Sequence, residues 1–324
     1  MYSLKELQQR ISDIFQQENY LASPNTLYEP IDYTLSLGGK RIRPLLLLAS
    51  CQLFGGDIEQ AKDAALGIET YHNFTLLHDD LMDQSPIRRG QPTVYRKWSP
   101  NTAILSGDAM ISLAWRYFLR QPHPQLQTIL NLFNETCIQI TEGQQYDMDF
   151  EQRQDVTTAE YLNMIRLKTA VLLAGALRIG AIYANASPTN QEDIYQFGIH
   201  LGLAFQLQDD LLDAYGDVSI LGKQIGTDIC DNKKTYLYLQ ALAAANPEQH
   251  NLLTQLYSTK PTDNSAKISQ ILDLYQQLGI KQSTEQVIEQ EFNQALHYLQ
   301  LIDTPDQNKE PLLNLGQKLL HRDS

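Results

Sequence analysis

Apolar residues recur along this chain at intervals of three and four, and convincing runs that alternate in twos are absent. The clearest helical stretch opens at Asp57. The segment DIEQ has the form of a capping box, with Gln60 three residues after Asp57. Ile58, Ala61, Ala65, Ile68 and Tyr71 then carry an apolar stripe toward Leu81, and Pro86 is expected to stop it. Thr157 and Glu160, in TTAE, repeat the box, and a long helix is predicted from there to about Ala184. A third helix spans Gln191 to Tyr215 and closes at Gly216. Gly38-Gly39 and Gly55-Gly56 bracket a short apolar helix that opens at Pro44, a favourable first-turn residue. No Ser/Gly-rich linker and no short internal repeat divides the chain. The pattern predicts an all-α protein folded as one large domain, residues 1–324.

A hydrophobic content of 43% in 324 residues is enough to fill a sizeable core. The net charge of −13 speaks against a nucleic-acid binder. An acidic protein can still hold a small anion if its few cations are focused, or if metal ions bridge like charges. The opening MYSLKELQQRI has no basic stretch followed by an apolar one, so no signal peptide is expected. The longest apolar run, VLLAGALRIGAIYANA, is broken by Arg178 and falls short of the about 20 residues that span a bilayer. Cys51, Cys137 and Cys230 are scattered, without the spacing of a disulfide framework or a zinc site, and a reducing cytoplasm fits them.

The charge itself is unevenly placed. LLHDDLMDQSPIRRG holds Asp79, Asp80 and Asp83, and FQLQDDLLDAYG holds Asp209, Asp210 and Asp213. Both clusters have the form DDxxD, so on a helix Asp79 shares a face with Asp83, and Asp209 with Asp213. Like charges at that spacing destabilise a helix by roughly 0.2–0.5 kcal/mol per pair. Both clusters also fall near predicted helix C-termini, where the dipole is already negative. A bound cation would remove both penalties. Magnesium takes oxygen ligands and is commonly held by one or two carboxylates plus substrate phosphates. Six aspartates on two helices would suit magnesium ions that clamp a diphosphate and neutralise it as it departs.

The cations gather around these aspartates in sequence. Arg88 and Arg89 follow the first cluster, and guanidinium groups bind phosphate bidentately. GGKRIRP places Lys40, Arg41 and Arg43 around a helix N-terminus. Lys168 lies inside an otherwise apolar helix, and Lys223, Lys233 and Lys234 come just after the second cluster. Together they point to two diphosphate sites, one held through metal and one held directly.

HDDLMDQSPIRRG, FQLQDDLLD, GGKRIRP, EGQQYD, MIRLKT and GKQIGTDI, in these positions, resemble the trans-isoprenyl diphosphate synthases, the farnesyl and geranylgeranyl diphosphate synthase group. The resemblance runs from about residue 35 to residue 235 and implies a single helical bundle of the isoprenoid synthase type around a central cavity. It implies isopentenyl diphosphate and an allylic diphosphate as substrates, magnesium as cofactor (three ions with substrate bound) and a homodimer. By resemblance, Asp79, Asp83 and Asp209 bind the magnesium ions, and Asp80, Asp210 and Asp213 support the ions, directly or through water. Arg88, Lys168, Lys223 and Lys233 face the allylic diphosphate, and Gln144 and Asp147 lie beside it. Gly39, Lys40, Arg43, His72 and Arg89 form the isopentenyl diphosphate site. Thr169 and Gln206 face the reacting carbons. The C-terminal basic tail of the family is matched only loosely by Lys318, His321 and Arg322.

The growing chain should lie along the first DDxxD helix. Thr75, Phe74 and Tyr71 precede Asp79 by four, five and eight residues, and large rings there would floor the pocket. Phe74 followed by Thr75, with no insertion in the acidic motif, resembles archaeal geranylgeranyl synthases. A C20 product is therefore expected, with C15 as the near alternative and longer chains if the rings point elsewhere. A terpene cyclase would not need GGKRIRP and the second arginine of RRG, and a squalene-type enzyme has different acidic motifs. A metal phosphohydrolase built on His78-Asp79 would leave the second DDxxD unexplained. A non-catalytic partner subunit would usually lack one of these residue sets.

Overall fold

The computed structural model describes residues 2–216, 225–259, 261 and 263–320. Helices dominate it. In chain order they are α1 (Leu4–Gln17), α2 (Asn25–Ser36), α3 (Ile42–Leu53), α4 (Ile58–Met82), α5 (Val94–Lys97), α6 (Pro100–Phe118), α7 (Leu126–Gln152), α8 (Thr158–Ile165), α9 (Val171–Tyr183) and α10 (Pro188–Tyr215). Further helices follow at Thr227–Asp231, Tyr236–Ala244, Pro247–Tyr257, Ser265–Gln277, Ile280–Leu301 and Asp306–Leu320. Among the described residues, no helix is long and apolar enough to cross a membrane.

The chain divides into two compact units. The first comprises Met1–Phe133, Gly175–Ile194 and Thr304–Leu312, and the second Asn134–Ala174, Tyr195–Asp303 and Leu313–Ser324.

In the first unit α4 is packed against α3 and α6 and is buried around much of its circumference. Ala61, Ala64 and Ala65 let those neighbours close in, while Ile68, Tyr71 and Leu77 supply the apolar bulk. Asp57 caps α4 as expected, but its side chain accepts from the Glu59 N–H, one residue earlier than a box with Gln60 requires. The helix ends at Met82, before Pro86 is reached. Gln84 takes a left-handed conformation (φ 53°), and the Ser85 N–H turns back to the Asp80 carbonyl at 2.9 Å. Tyr71, Trp115 and Phe118 surround the fully buried Phe133, with ring centroids 5.4, 5.0 and 4.4 Å away. Each such large apolar side chain contributes about 1.5–3 kcal/mol by leaving water.

One element of this unit was not expected from the sequence. Ile87–Arg88 and Gln91–Pro92 pair as a minimal antiparallel hairpin, strands β1 and β2. Arg89 and Gly90 form its two-residue turn, both with positive φ (53° and 73°), as the twist of a tight hairpin demands. Strands of two residues are too short to show alternation.

In the second unit α8 begins with the complete capping box of Thr157 and Glu160. The predicted long helix is interrupted, however. Arg166–Ala170 forms a π turn before α9 resumes. At this turn α7 packs close: a Cβ on Gly143 would come within 2.8 Å of the Leu167 carbonyl carbon and of Lys168 Cα. Single π turns of this kind recur at functional sites.

Candidate functional site

In the first unit the last turn of α4 carries Asp79 and Asp80, and Asp83 closes the helix. The hairpin folds Arg88 back onto them. Its Nε donates to both oxygens of Asp80 at 2.8 Å, and its Nη2 lies 2.8 Å from Asp80 Oδ1 and 3.8 Å from Asp79 Oδ2. Asp80 is buried, and burial pushes its carboxyl up to about 6 even though Arg88 pulls the other way. Asp80 thus anchors the cluster inward, while Asp83 is exposed at the surface.

Arg89, next along the hairpin turn, points elsewhere. Its Nη1 donates to the Gly38 carbonyl and reaches Asn73 Oδ1 at 3.4 Å. The guanidinium lies where a Cβ on Gly39 would be, 2.9 Å from Cζ, and Gly39 has φ 131°. Arg41 adopts a left-handed conformation (φ 43°) at the start of α3, so Arg43 falls in the helix's first turn and Pro44 third rather than first. Arg43 Nη1 donates to His72 Nε2 at 3.0 Å. Arginine can only donate, so His72 accepts through Nε2 and carries its proton on Nδ1. Burial, then Arg43 and Arg89, hold His72 well below its usual range, in the neutral form. Lys40 is exposed at the turn.

Beneath these guanidiniums sits Glu69, buried on α4 and accepting from Asn73 Nδ2 at 3.2 Å. Burial raises its carboxyl pKa, while Arg43 and then Arg89 oppose the rise. Neither Glu69 nor Asn73 was foreseen. The available signal was two polar residues inside the apolar run before the aspartates. Further along α4, the Thr75 hydroxyl donates to the His72 carbonyl, Phe74 is half-buried, and Tyr71 is buried against Phe133. His78 turns to α6, with Nε2 3.3 Å from the Ile104 carbonyl, which leaves it engaged outside any metal pairing with Asp79.

In the second unit α10 carries the second cluster at its C-terminal end. Both oxygens of Asp210 are taken by protein donors: the Tyr161 hydroxyl in a short bond to Oδ2, and Gln206 Nε2 at 3.2 Å to Oδ1. Burial, then Asp228, raise the Asp210 pKa well above the carboxylate range, against those two hydrogen bonds. Gln206 accepts in turn from the Thr169 hydroxyl at 3.0 Å. Asp213 accepts from the Thr227 hydroxyl and, at 3.0 Å, from the Asp228 N–H, and so caps the helix Thr227–Asp231. The π turn presents Lys168, whose Nζ meets Asp147 Oδ2 of α7 at 2.5 Å. Gln144 stands one turn before Asp147 on α7. Lys233 Nζ lies 3.8 Å from Asp228. Lys223 lies outside the described residues, as do His321 and Arg322, while Lys318 is in the last helix.

Tyr161 and Asp228 are further residues that the sequence reading passed over. Asp228 stood in a quoted motif, GKQIGTDI, of which only the lysine was singled out. The donor chemistry of each cluster suits a hard cation: carboxylate oxygens at a helix end, with the middle aspartate tied to Arg88 in the first and to Tyr161 and Gln206 in the second. Among the described residues no three His, Cys, Asp or Glu side chains converge into a ready-made metal cage.

The polyprenyl synthetase family model matches residues 24–275. A short-chain isoprenyl diphosphate synthase of Methanothermobacter thermautotrophicus is 34% identical over 98% of this chain and 95% of its own. A geranylgeranyl diphosphate synthase of Saccharolobus solfataricus is 39% identical over 76% of each chain. A geranylfarnesyl diphosphate synthase of Natronomonas pharaonis is 38% identical over 74% of this chain and 75% of its own. Among solved structures, a geranylgeranyl pyrophosphate synthase superposes with a TM-score of 0.95 over 100% of both chains, at 40% identity. A geranylgeranyl pyrophosphate synthase of Corynebacterium glutamicum, complexed with isoprenyl diphosphate and magnesium, gives 0.86 at 27% identity over 98% of each chain. The all-α fold is that of these synthases.

Proposed function

This chain belongs to the polyprenyl synthetase family, and from that premise we propose that it condenses isopentenyl diphosphate head-to-tail with an allylic diphosphate and extends it to C20, geranylgeranyl diphosphate. It is an enzyme, a trans-isoprenyl diphosphate synthase. One observation carries the reading. Two different anion-handling sets lie along helix α4: carboxylates that need a cation, at Asp79 and Asp83, and about 10 Å back along the axis His72 with Arg43 of α3 and Arg89 of the hairpin, which need none. A cyclase requires only the first set.

The family uses magnesium, as the Corynebacterium structure illustrates. Asp79, Asp83 and Asp209 would hold the ions, three of them with substrate bound, and the ions would stabilise the departing diphosphate charge. Asp80, Asp210 and Asp213 would support the ions, directly or through water. Arg88, Lys168, Lys223 and Lys233 face the allylic diphosphate, beside Gln144 and Asp147. Arg43, Arg89 and neutral His72 take the isopentenyl diphosphate, with Gly39 and Lys40 at the turn. The Thr169 hydroxyl and the Gln206 amide offer neutral oxygens to the allylic cation, which they stabilise without capturing it. Phe74, backed by Tyr71 and beside Thr75, closes the chain path. A C15 product corresponds to a floor one step nearer the metal site, and C25, made by the geranylfarnesyl relative, to a floor one step deeper.

We further propose a single catalytic domain over residues 1–324, a homodimer and a cytoplasmic setting. Exposed Ile104 and Leu105 on α6, and Leu119 just after it, support a self-association surface, and three cysteine thiols suit a reducing compartment.

The test is elongation. Purified protein is incubated with magnesium, isopentenyl diphosphate and, separately, dimethylallyl, geranyl and farnesyl diphosphates, and the products are sized. C20 as the limit supports the reading. C15 or C25 moves the floor and keeps the reaction, whereas no elongation by folded protein removes it.

A further inference from the structure

We propose that His78, seated on Gly107, is a positioning residue for product length: it holds the Phe74 ring across the path of the growing chain. The inference rests on the synthase reading above and on Phe74 as the floor.

Phe74 and His78 stand four residues apart and share a face of α4. Their rings meet edge to face, centroids 4.8 Å apart and planes at 71°. On its other side Phe74 meets Tyr71, three residues earlier, at 5.3 Å and 55°. The half-buried Phe74 is therefore gripped from above and below by its own helix. The Tyr71 side is fixed by the buried packing on Phe133. The His78 side is fixed by α6. There Nε2 reaches the Ile104 carbonyl at 3.3 Å, and the ring fills the space over Gly107, where a Cβ would come within 2.5 Å of Cδ2. Helix α6 accepts the imidazole at that place because residue 107 has no side chain. A methyl group there would push the imidazole aside, and a flexible side chain can move where a backbone could not. Once His78 leaves, Phe74 loses one of its two braces, and its ring is free to swing out of the chain path. The edge-to-face contact corresponds to a rotamer preference of roughly 2- to 13-fold.

The experiment compares wild type with Gly107→Ala, His78→Ala, the double variant and Phe74→Ala. Each receives magnesium, isopentenyl diphosphate and dimethylallyl diphosphate, and the share of products longer than the main wild-type product is measured. Phe74→Ala should lengthen the products. Gly107→Ala and His78→Ala should each raise the long-product share by roughly 2- to 13-fold, and the double variant should match His78→Ala, because the methyl group acts only through the imidazole. Thermal melting of Gly107→Ala should stay at or above wild type, since alanine is the better helix former; if that variant does not fold, His78→Ala alone decides. Lengthening by Phe74→Ala with unchanged products from His78→Ala overturns the inference and leaves the synthase reading intact. A double variant longer than either single overturns the relay. Unchanged products from Phe74→Ala remove the floor and the inference together. No elongation by wild type removes the function itself.

Discussion

Replacing Asp228 by asparagine should stabilise the magnesium-free protein at neutral and alkaline pH while leaving it unchanged near pH 4. Burial, and next the neighbouring Asp213, push the Asp228 carboxyl up to about 7 from 3.8, against the pull of Lys233. A carboxyl raised in the folded state favours folding below its unfolded pKa. That advantage is lost as pH climbs, because the unfolded chain ionises first, and the loss is complete once pH passes the folded pKa. The gap of about three units corresponds to at most ~4 kcal/mol. The side chain keeps 25% of its surface exposed, and solvent screens it to that extent, so about half of that is the better expectation, ~2 kcal/mol. For a chain of 324 residues, at about 2.1 cal/mol/K of unfolding entropy per residue, that is roughly 3 °C in melting temperature. Asparagine keeps the shape and stays neutral, and the Asp228 N–H still donates to Asp213. Scanning fluorimetry from pH 4 to pH 9, with chelator present, should give curves that coincide at the acid end, separate between pH 4 and pH 7, and run parallel above. Magnesium with inorganic pyrophosphate should then raise the wild-type curve more than the variant's. A constant offset at all pH values, or no difference at any, would refute the reasoning.

Other substitutions read out separate parts of the site. Asp79→Ala and Asp209→Ala should each lower kcat by at least ~100-fold with melting within a few degrees of wild type, since they remove charge stabilisation and no core volume; normal turnover at saturating magnesium would sink the metal role. Arg89→Lys should raise KM for isopentenyl diphosphate about tenfold and leave KM for the allylic substrate within about twofold, because lysine cannot span Gly38 and Asn73 as the guanidinium does; steady-state kinetics with each substrate varied decides it. Gly143→Ala should destabilise by about 1–3 kcal/mol and cut kcat more than tenfold, since its methyl group collides with the backbone that presents Lys168; denaturant melts and turnover with both substrates saturating measure the two effects.

The helix starts at Asp57 and Thr157 were legible, whereas α10 begins at Pro188, three residues before the expected Gln191, and α3 at Ile42 rather than Pro44. Capping is local, and Thr157 with Glu160 forms its box as the sequence indicated, while Asp57 caps one residue off the pattern. The aspartates at the ends of α4 and α10 were legible for the same reason, since their placement follows from the helix period and its stops. Tertiary features were not. Nothing in MIRLKT marks a π turn: residues 166–170 contain no glycine or proline, and the helix they pack against meets them at Gly143, more than twenty residues earlier. The hairpin at IRRGQP is set by two positive φ values, one of them on an arginine, which residue type alone would not announce. Glu69 and Tyr161 looked like ordinary members of helical stretches. Their importance comes from what the fold stacks on them: three guanidiniums near one, and Asp210 against the other.

The π turn also fixes how this chain can change length. An α-helix advances about 100° per residue. A π turn takes up about one residue more than an α turn, so the helix on either side of it keeps its phase. Removing one residue from 166–170 would let the hydrogen-bond ladder close in α form and leave every later position of α9 facing as it does now, with Arg178 still toward Glu192 and Leu177 and Ile179 still buried. Closing the ladder without removing a residue would instead rotate all of them by that angle. The extra residue is absorbed where it stands, and a single-residue gap placed there when sequences are aligned describes the same helix with an ordinary turn.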